Sequence, residues 1–183
     1  MKNILREKIM QSRNSLSNEE ILSRSKKIEK NLFSLNEFKN AKTIMLFVSF
    51  DSEVYTHDMI KDILKSKKNI AVPKVVEHEI HPSLIIDFDQ LIPSGIFGIL
   101  EPIELLKINL KNIDVVIIPG IVFDKTGHRI GYGYGFYDKF LRKIPKALKI
   151  GVAYDFQIIE KIPNDAHDVP VDIVVTDKEI IFV

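Results

Sequence analysis

Cysteine is absent from the 183 residues, which excludes disulfide bonds, thiolate zinc sites and thiol nucleophiles. A chain without cysteine suits a reducing compartment. A large excess of one charge is missing too: 26 Lys and Arg stand against 25 Asp and Glu, a net charge of +1. A dedicated nucleic-acid binder normally carries a basic excess on one face, so that class is disfavoured. No apolar run approaches the roughly 20 residues a membrane span needs. The opening MKNILREKIMQSR has charges through its apolar positions, unlike a signal peptide. These absences lead to the expectation of a cytoplasmic protein that binds neither nucleic acid nor membrane. Internal repeats, low-complexity tracts and Gly/Ser linkers are also missing, so residues 1–183 are expected to form a single domain with one substantial core.

Glycine is scarce but clustered. Four of the eight fall within nine residues, at Gly127, Gly131, Gly133 and Gly135, inside DKTGHRIGYGYGFYDKFL. The rest of the chain supplies a frame for that cluster. LSNEEILSRSKKIEKNLFSL opens with Ser17 and has Glu20 three residues on, a capping box. Ile21, Ile28, Leu32 and Leu35 then recur at helical spacing. A shorter helix is expected before it, from Asn3 to Arg13, with Lys2, Arg6 and Arg13 on roughly one face. After Ala41 the pattern changes. Residues 43–48, 69–73, 113–119, 148–154 and 171–175 are short apolar runs rich in β-branched residues, which suits strands covered on both faces. Thr56 is placed to cap a helix in HDMIKDILKS, and GFYDKFLRK continues from the glycines. HPSLIIDF suggests a shorter antiparallel strand, and residues 88–110 are too rich in breakers to assign. The fold expected is a three-layer α/β/α sandwich with a mostly parallel central sheet, Rossmann-like.

In such a sheet, ligands sit beyond the carboxyl ends of the strands, where the glycine cluster lies. A Gly-rich turn entering a helix presents bare N–H groups that suit phosphate. Arg129 adds a fixed planar charge. Tyr132, Tyr134, Phe136 and Tyr137 offer flat faces to a heterocycle. The Walker A pattern is absent, and the dinucleotide pattern fails because Phe136 stands where its third glycine belongs. By spacing alone the cluster also fits a tight structural turn.

PGIVFDKTGHRIGYGYGFYDKFL resembles the signature of the 5-formyltetrahydrofolate cyclo-ligase family, whose pattern runs roughly P-G-x-x-F-D-x-x-G-x-R-L-G-x-G-x-G-Y-Y-D. KNILR at the amino terminus, SFDSEVYT after the first strand, GILEP at Gly98 to Pro102 and the closing HDVPVDIVVTD are similar to the same family, in the same order. The resemblance implies ATP-dependent conversion of 5-formyltetrahydrofolate to 5,10-methenyltetrahydrofolate with magnesium. It implies ATP contacts at Lys2, Arg6, Arg129, Ile130, Gly131, Tyr132, Gly133, Tyr134, Gly135, Phe136 and Tyr137. It implies folate contacts at Val48, Glu53, Tyr132, Gly133, Tyr134, Gly135 and Phe136, and magnesium at Asp138 and Asp172. Lys2, Arg6 and Arg129 would act on the transferred phosphoryl group. A monomer working on small molecules is expected.

Each residue also has a plainer reading. Lys2 and Arg6 fit a solvated basic face, Asp138 a helix-dipole carboxylate, Asp172 a turn before a strand, and Glu53 a loop. The five histidines show no ligand spacing and are expected at the surface. Tyr55, Tyr134 and Phe136 depart from the family's frequent residues. Two alternatives stay open: a nucleotide or folate sensor without turnover, and a sugar-phosphate isomerase-like enzyme needing no ATP.

Overall fold

A computed structural model describes residues 1–94 and 98–183, and the five apolar runs of the sequence form its parallel core. β1 (Thr43–Leu46), β2 (Asn69–Val76), β6 (Val115–Ile118), β9 (Leu148–Val152) and β11 (Ile173–Val175) lie side by side. β3 (Glu79–Ile85) and β12 (Ile180–Phe182) close the two edges antiparallel, giving the order β12-β11-β9-β6-β1-β2-β3. Alternation along each strand sorts the side chains. Ile44, Leu46, Ile70, Val72, Ile117, Ile150, Val152, Ile173 and Val175 share one face. Met45, Ala71, Val116, Ile118 and Val174 share the other. A slip of one residue would exchange these two sets, and the faces have different partners, so the register is pinned.

The first face is covered by helices. α2 (Asn18–Ser34) begins at the capping box, with Ser17 Oγ accepting from Glu20 N and the Glu20 carboxylate accepting from Ser17 N. Its Ile28 and Leu32 are fully buried, beside Phe38 of the short α3 (Asn36–Asn40). Met59, Ile60 and Ile63 of α4 (His57–Leu64) complete the layer. The second face carries one short helix, α5 (Phe136–Leu141), and a small sheet of β7 (Val122–Asp124), β8 (Arg129–Ile130) and β10 (Ile158–Ile159). α1 (Lys2–Asn14) lies over that small sheet, its Ile9 packed with Ile121, Val122 and Ile130.

Several local features differ from the expectation. The expected antiparallel strand is not a minor one: β2 and β3 form a seven-pair hairpin turned by Glu77 and His78, both at positive φ. The unassigned stretch contains a second hairpin, β4 (Leu91–Ser94) with β5 (Ile99–Pro102). Residues 95–97 between them lie outside the described residues. Thr56 stands at the start of α4, but its hydroxyl donates to Phe47 O rather than capping the helix. Among the described residues, no helix is long and apolar enough to cross a membrane.

The glycine-rich signature divides in two, and its first half is scaffold. The Phe123 ring fills the space over Gly120 and Gly151. A Cβ built on either glycine would lie 2.5 Å or 2.4 Å from that ring. Asp124 is fully buried and ties the β7–β8 turn: Oδ1 accepts from Thr126 N and His128 N, and Oδ2 accepts from Ile162 N at 2.7 Å. Gly127 has φ +81, and a Cβ there would meet Val171 O at 2.4 Å.

Gly151→Ala is therefore expected to destabilise the fold by about 1–3 kcal/mol through overpacking. In a Phe123→Leu background the same change should cost much less. Thermal unfolding of the two single variants and the double variant checks this, and strict additivity would show that the ring is not the reason for the glycine.

Candidate active site

The residues that meet at the carboxyl edge of the sheet come from α1, the loop after β1 and the second half of the glycine cluster. The β1 loop is closed by a reciprocal clamp. Ser49 N donates to Thr56 Oγ1 and Thr56 N donates to Ser49 Oγ, each at 2.9 Å. Inside it the chain turns tightly, with Asp51 at φ 51 and Glu53 N donating to Phe50 O. The turn drives Glu53 inward, where it is only 5% exposed. Glu53 Oε2 accepts from Phe50 N at 3.2 Å, and Oε1 accepts from the Tyr132 hydroxyl at 3.1 Å. Tyr154, following β9, donates its hydroxyl to Glu53 O at 3.0 Å. Burial pushes the Glu53 pKa up from 4.5 to about 7, against the opposing pull of Arg13, the Phe50 N–H and Tyr132.

Arg13, near the end of α1, is 1% exposed. Its Nη2 donates to the Tyr132 hydroxyl at 2.7 Å, and its Nε donates to Ser52 Oγ at 3.1 Å. Ser52 in turn donates to Asn14 Oδ1 at 2.5 Å. Arg13 and Glu53 are thus both buried and are joined through one hydroxyl.

Lys2 and Arg6 do lie on the same face of α1 as Arg13. Arg6 Nε donates to Gly131 O at 2.9 Å and its Nη1 to Asn3 at 2.6 Å. Its Nη2 has no hydrogen bond among the described residues and lies 3.8 Å from where a Cβ on Gly133 would stand. Lys2 Nζ is held by Asp165 and Asp168, both at 2.9 Å, and those two hydrogen bonds raise its pKa.

Along the loop itself, Gly133 has φ +103 and Gly135, at the start of α5, has φ +67. Gly131 has an ordinary φ, and a Cβ there would meet nothing within 4 Å. Neither conformation nor crowding within the protein asks for glycine at 131. Ile130 is buried in the small core under α1. Tyr134 is 58% exposed and stacks on Phe136 at 5.3 Å, an aromatic step at the loop's outer side. Tyr137 packs between the two sheet cores, and burial holds its phenol well above the ordinary value.

Other expected site residues are placed differently. Tyr132, expected to offer a ring face, has its hydroxyl held by both Arg13 and Glu53. Arg129 is 5% exposed in its side chain, with Nη1 donating to Val169 O at 2.6 Å and Nη2 to Asp138 Oδ1 at 2.9 Å. It braces the base of the loop rather than reaching out with a free fork. Val48 is buried in the core beside Val54. Asp138 Oδ1 also accepts from Val169 N at 3.0 Å, while Oδ2 has no partner among the described residues. Asp172 precedes β11 at the amino-terminal edge of the sheet, and its Oδ2 accepts from Lys149 N at 2.8 Å. Asp114 does the same before β6, accepting from Lys42 N and Thr43 N. Asp172 thus forms one of two such strand-start contacts, and among the described residues its side chain shares no partner with that of Asp138. Among the described residues, no group of three or more His, Asp and Glu is arranged to hold a metal ion. His57 is half buried, with Nε2 2.8 Å from Ser49 O and its ring against Tyr55 and Phe88, and burial keeps its pKa low.

The family model for the 5-formyltetrahydrofolate cyclo-ligase family matches residues 1–177. Among solved structures, the 5,10-methenyltetrahydrofolate synthetase of Aquifex aeolicus is similar at 40% identity and a TM-score of 0.89, over 99% of this chain and 92% of the other. The synthetase from Mycoplasma pneumoniae is similar at 30% identity and a TM-score of 0.78, over 96% of this chain and 98% of the other. A 5-formyltetrahydrofolate cyclo-ligase of Mus musculus is 30% identical over 181 residues, spanning 92% of this chain and 89% of that protein.

The buried carboxyl makes a pH prediction. In the unfolded chain Glu53 titrates near 4.5, and in the folded one near 7. Between those values the folded state holds the proton more firmly, so this group's contribution to stability falls as pH rises through the window. The full fall is about 3 kcal/mol. Glu53→Gln should flatten the stability profile between pH 5 and 7, measured by denaturant unfolding at several pH values. An unchanged slope in that variant would show that Glu53 is not the titrating group.

Proposed function

The chain belongs to the 5-formyltetrahydrofolate cyclo-ligase family, and we propose that it converts 5-formyltetrahydrofolate to 5,10-methenyltetrahydrofolate with ATP and magnesium, releasing ADP and phosphate. The observation that carries this reading is the meeting of Glu53, Arg6 and the open glycine loop at one edge of the sheet. A carboxylate that accepts two hydrogen bonds suits an amino-pterin edge. A bare loop beside an unspent guanidinium edge suits phosphate.

The chemistry asks for positioning more than for a protein nucleophile. A formyl oxygen leaves poorly, so the γ-phosphoryl group of ATP is transferred to it, breaking the bond to ADP. The folate N10 then attacks the formyl carbon, loses its proton, and phosphate departs with the former formyl oxygen. Arg6 faces the transferred group from α1. Lys2 supplies charge from the same helix once its aspartates share it. Gly131 and Gly133 let phosphate approach the backbone, and Tyr134 with Phe136 offers a ring face to a heterocycle. Arg129 and Asp138 hold the loop's base.

The donor set fits magnesium in part. Magnesium commonly uses one or two carboxylates together with substrate phosphates and water, and Asp138, 25% exposed, keeps one oxygen free. Bound there, the ion would neutralise charge on the phosphates. Asp172 is left to the strand edge.

An assay of 5-formyltetrahydrofolate with ATP and magnesium should give the methenyl product, followed by its absorbance, and none when ATP is withheld. Product formed equally without ATP, or binding of both ligands without turnover, would overturn the reading. Gly131→Ala should leave the melting temperature unchanged, because its φ is ordinary and its surroundings are open. It should cut kcat/KM by about tenfold or more if phosphate lies against that backbone. Gly133→Ala should lose both, since alanine is strained at φ +103.

A further inference from the structure

We propose that Tyr132, held by Arg13, is a positioning residue that links the nucleotide side of the site to the folate side, so that each substrate strengthens the binding of the other. The inference rests on the functional reading above and deepens it. Arg13 lies on α1, the helix that carries Lys2 and Arg6. Tyr132 lies within the glycine loop, between Gly131 and Gly133. Glu53 lies on the β1 loop. One hydroxyl joins all three: it accepts from Arg13 Nη2 at 2.7 Å and donates to Glu53 Oε1 at 3.1 Å.

The geometry leaves that hydroxyl little choice. Arg13 has donors only, so the tyrosine oxygen must accept from it. The single tyrosine proton is then directed at the carboxylate. Arg13 is also anchored at Ser52 Oγ, one residue before Glu53, and Ser52 is anchored at Asn14. Tyr132 cannot move without releasing Glu53, and the loop cannot move without carrying Tyr132. The Phe50 ring, 5.5 Å from the Tyr132 ring, restrains the same side chain from the β1 loop.

The coupling follows in both directions. A nucleotide that fixes the glycine loop fixes the tyrosine proton on Glu53, which favours the ionised, hydrogen-bond-accepting carboxylate a pterin edge needs. A pterin that holds Glu53 ionised strengthens the Tyr132 bond and so stabilises the loop that receives phosphate. By linkage the two effects are equal in size. Hydrogen bonds to charged groups in a water-poor surrounding are the strong ones, which gives this link enough strength to matter.

The test is calorimetric titration of 5-formyltetrahydrofolate in the absence and presence of a non-hydrolysable ATP analogue with magnesium, and the reciprocal titration. The wild-type protein should bind folate at least about fivefold more tightly with the nucleotide present. In Tyr132→Phe the ratio should fall close to one, whatever the change in each ligand's own affinity. Arg13→Lys keeps the charge but not the two-pronged grip, and it should lose most of the ratio as well. In steady-state assays, wild-type KM for one substrate should fall as the other is raised, and in Tyr132→Phe it should not. A ratio retained in Tyr132→Phe overturns the link and leaves the functional reading intact, as does wild-type binding of both ligands with no coupling. Failure of the wild-type protein to bind either ligand overturns the functional reading and the link with it.

Discussion

A guanidinium and a carboxylate are buried together at the carboxyl edge of the sheet, and a tyrosine hydroxyl stands between them. Arg13 and Glu53 are 1% and 5% exposed, so neither can turn to solvent for compensation. Breaking a buried pair by removing one partner typically costs about 3–5 kcal/mol, because the other charge is stranded. That constraint reaches well beyond two side chains. It fixes the end of α1 against the β1 loop, through Ser52 and Asn14. It fixes the middle of the glycine loop, through Tyr132. It fixes the end of β9, because Tyr154 donates to the Glu53 carbonyl. Four segments distant in sequence are held in register by polar groups whose partners are all protein atoms.

The glycine-rich signature is best understood as two machines in series. Up to Gly127 its residues answer to the protein: Phe123 occupies the room that Gly120 and Gly151 leave, and Asp124 satisfies the turn's N–H groups. Beyond Gly127, Tyr132, Tyr137 and Asp138 still answer to the protein, and Gly131 is the residue that does not. Gly133 and Gly135 take positive φ, which makes the loop, but Gly131 has no unusual dihedral, and a Cβ on it would meet nothing within 4 Å. A residue whose smallness the fold does not use is one whose smallness a ligand can use. The boundary between the two machines is Arg129, whose guanidinium holds Val169 and Asp138 and so secures the loop to the chain that follows β10.

Much of this was legible in the sequence. The five parallel strands announce themselves as continuous β-branched runs, and α2 announces itself through Ser17 and Glu20. β7, β8 and β10 do not, because two or three residues are too few to establish a period; their positions depend on Phe123 and Asp124 finding tertiary partners. The depth of Glu53 was not legible either. SFDSEV reads as a polar surface loop, and the Ser49–Thr56 clamp with the tight turn at Asp51 turns Glu53 inward. Arg13 shared a helical face with Lys2 and Arg6, yet a seven-residue spacing of arginines fits a solvated face equally well, and nothing in the local sequence says that this one is buried. Asp172 illustrates the converse. Family likeness suggested a metal ligand, and the structure adds a local role at a strand start, doing for Lys149 what Asp114 does for Thr43.

The site is a shelf more than a chamber. The gap beneath it, lined by Arg13, Glu53, Gly120 and Gln157, is too tight for a substrate, and the glycine loop faces outward with Tyr134 exposed. An activated formyl group on an open shelf is threatened by hydrolysis, so something other than burial has to favour ring closure. The attacking N10 belongs to the same molecule as the activated carbon. Effective concentrations in well-oriented intramolecular reactions reach about 10⁵–10⁸ M, far above that of water itself. On the proposed function, orientation of the folate is then worth more than exclusion of solvent, and a rigid hold on the pterin edge would be the protein's main contribution. A buried carboxylate fixed by a backbone N–H on one oxygen and a clamped tyrosine on the other is a rigid way to hold it. If Glu53 holds the pterin edge as proposed, the grip of Arg13 and Tyr132 on its carboxylate gives that contact its rigidity.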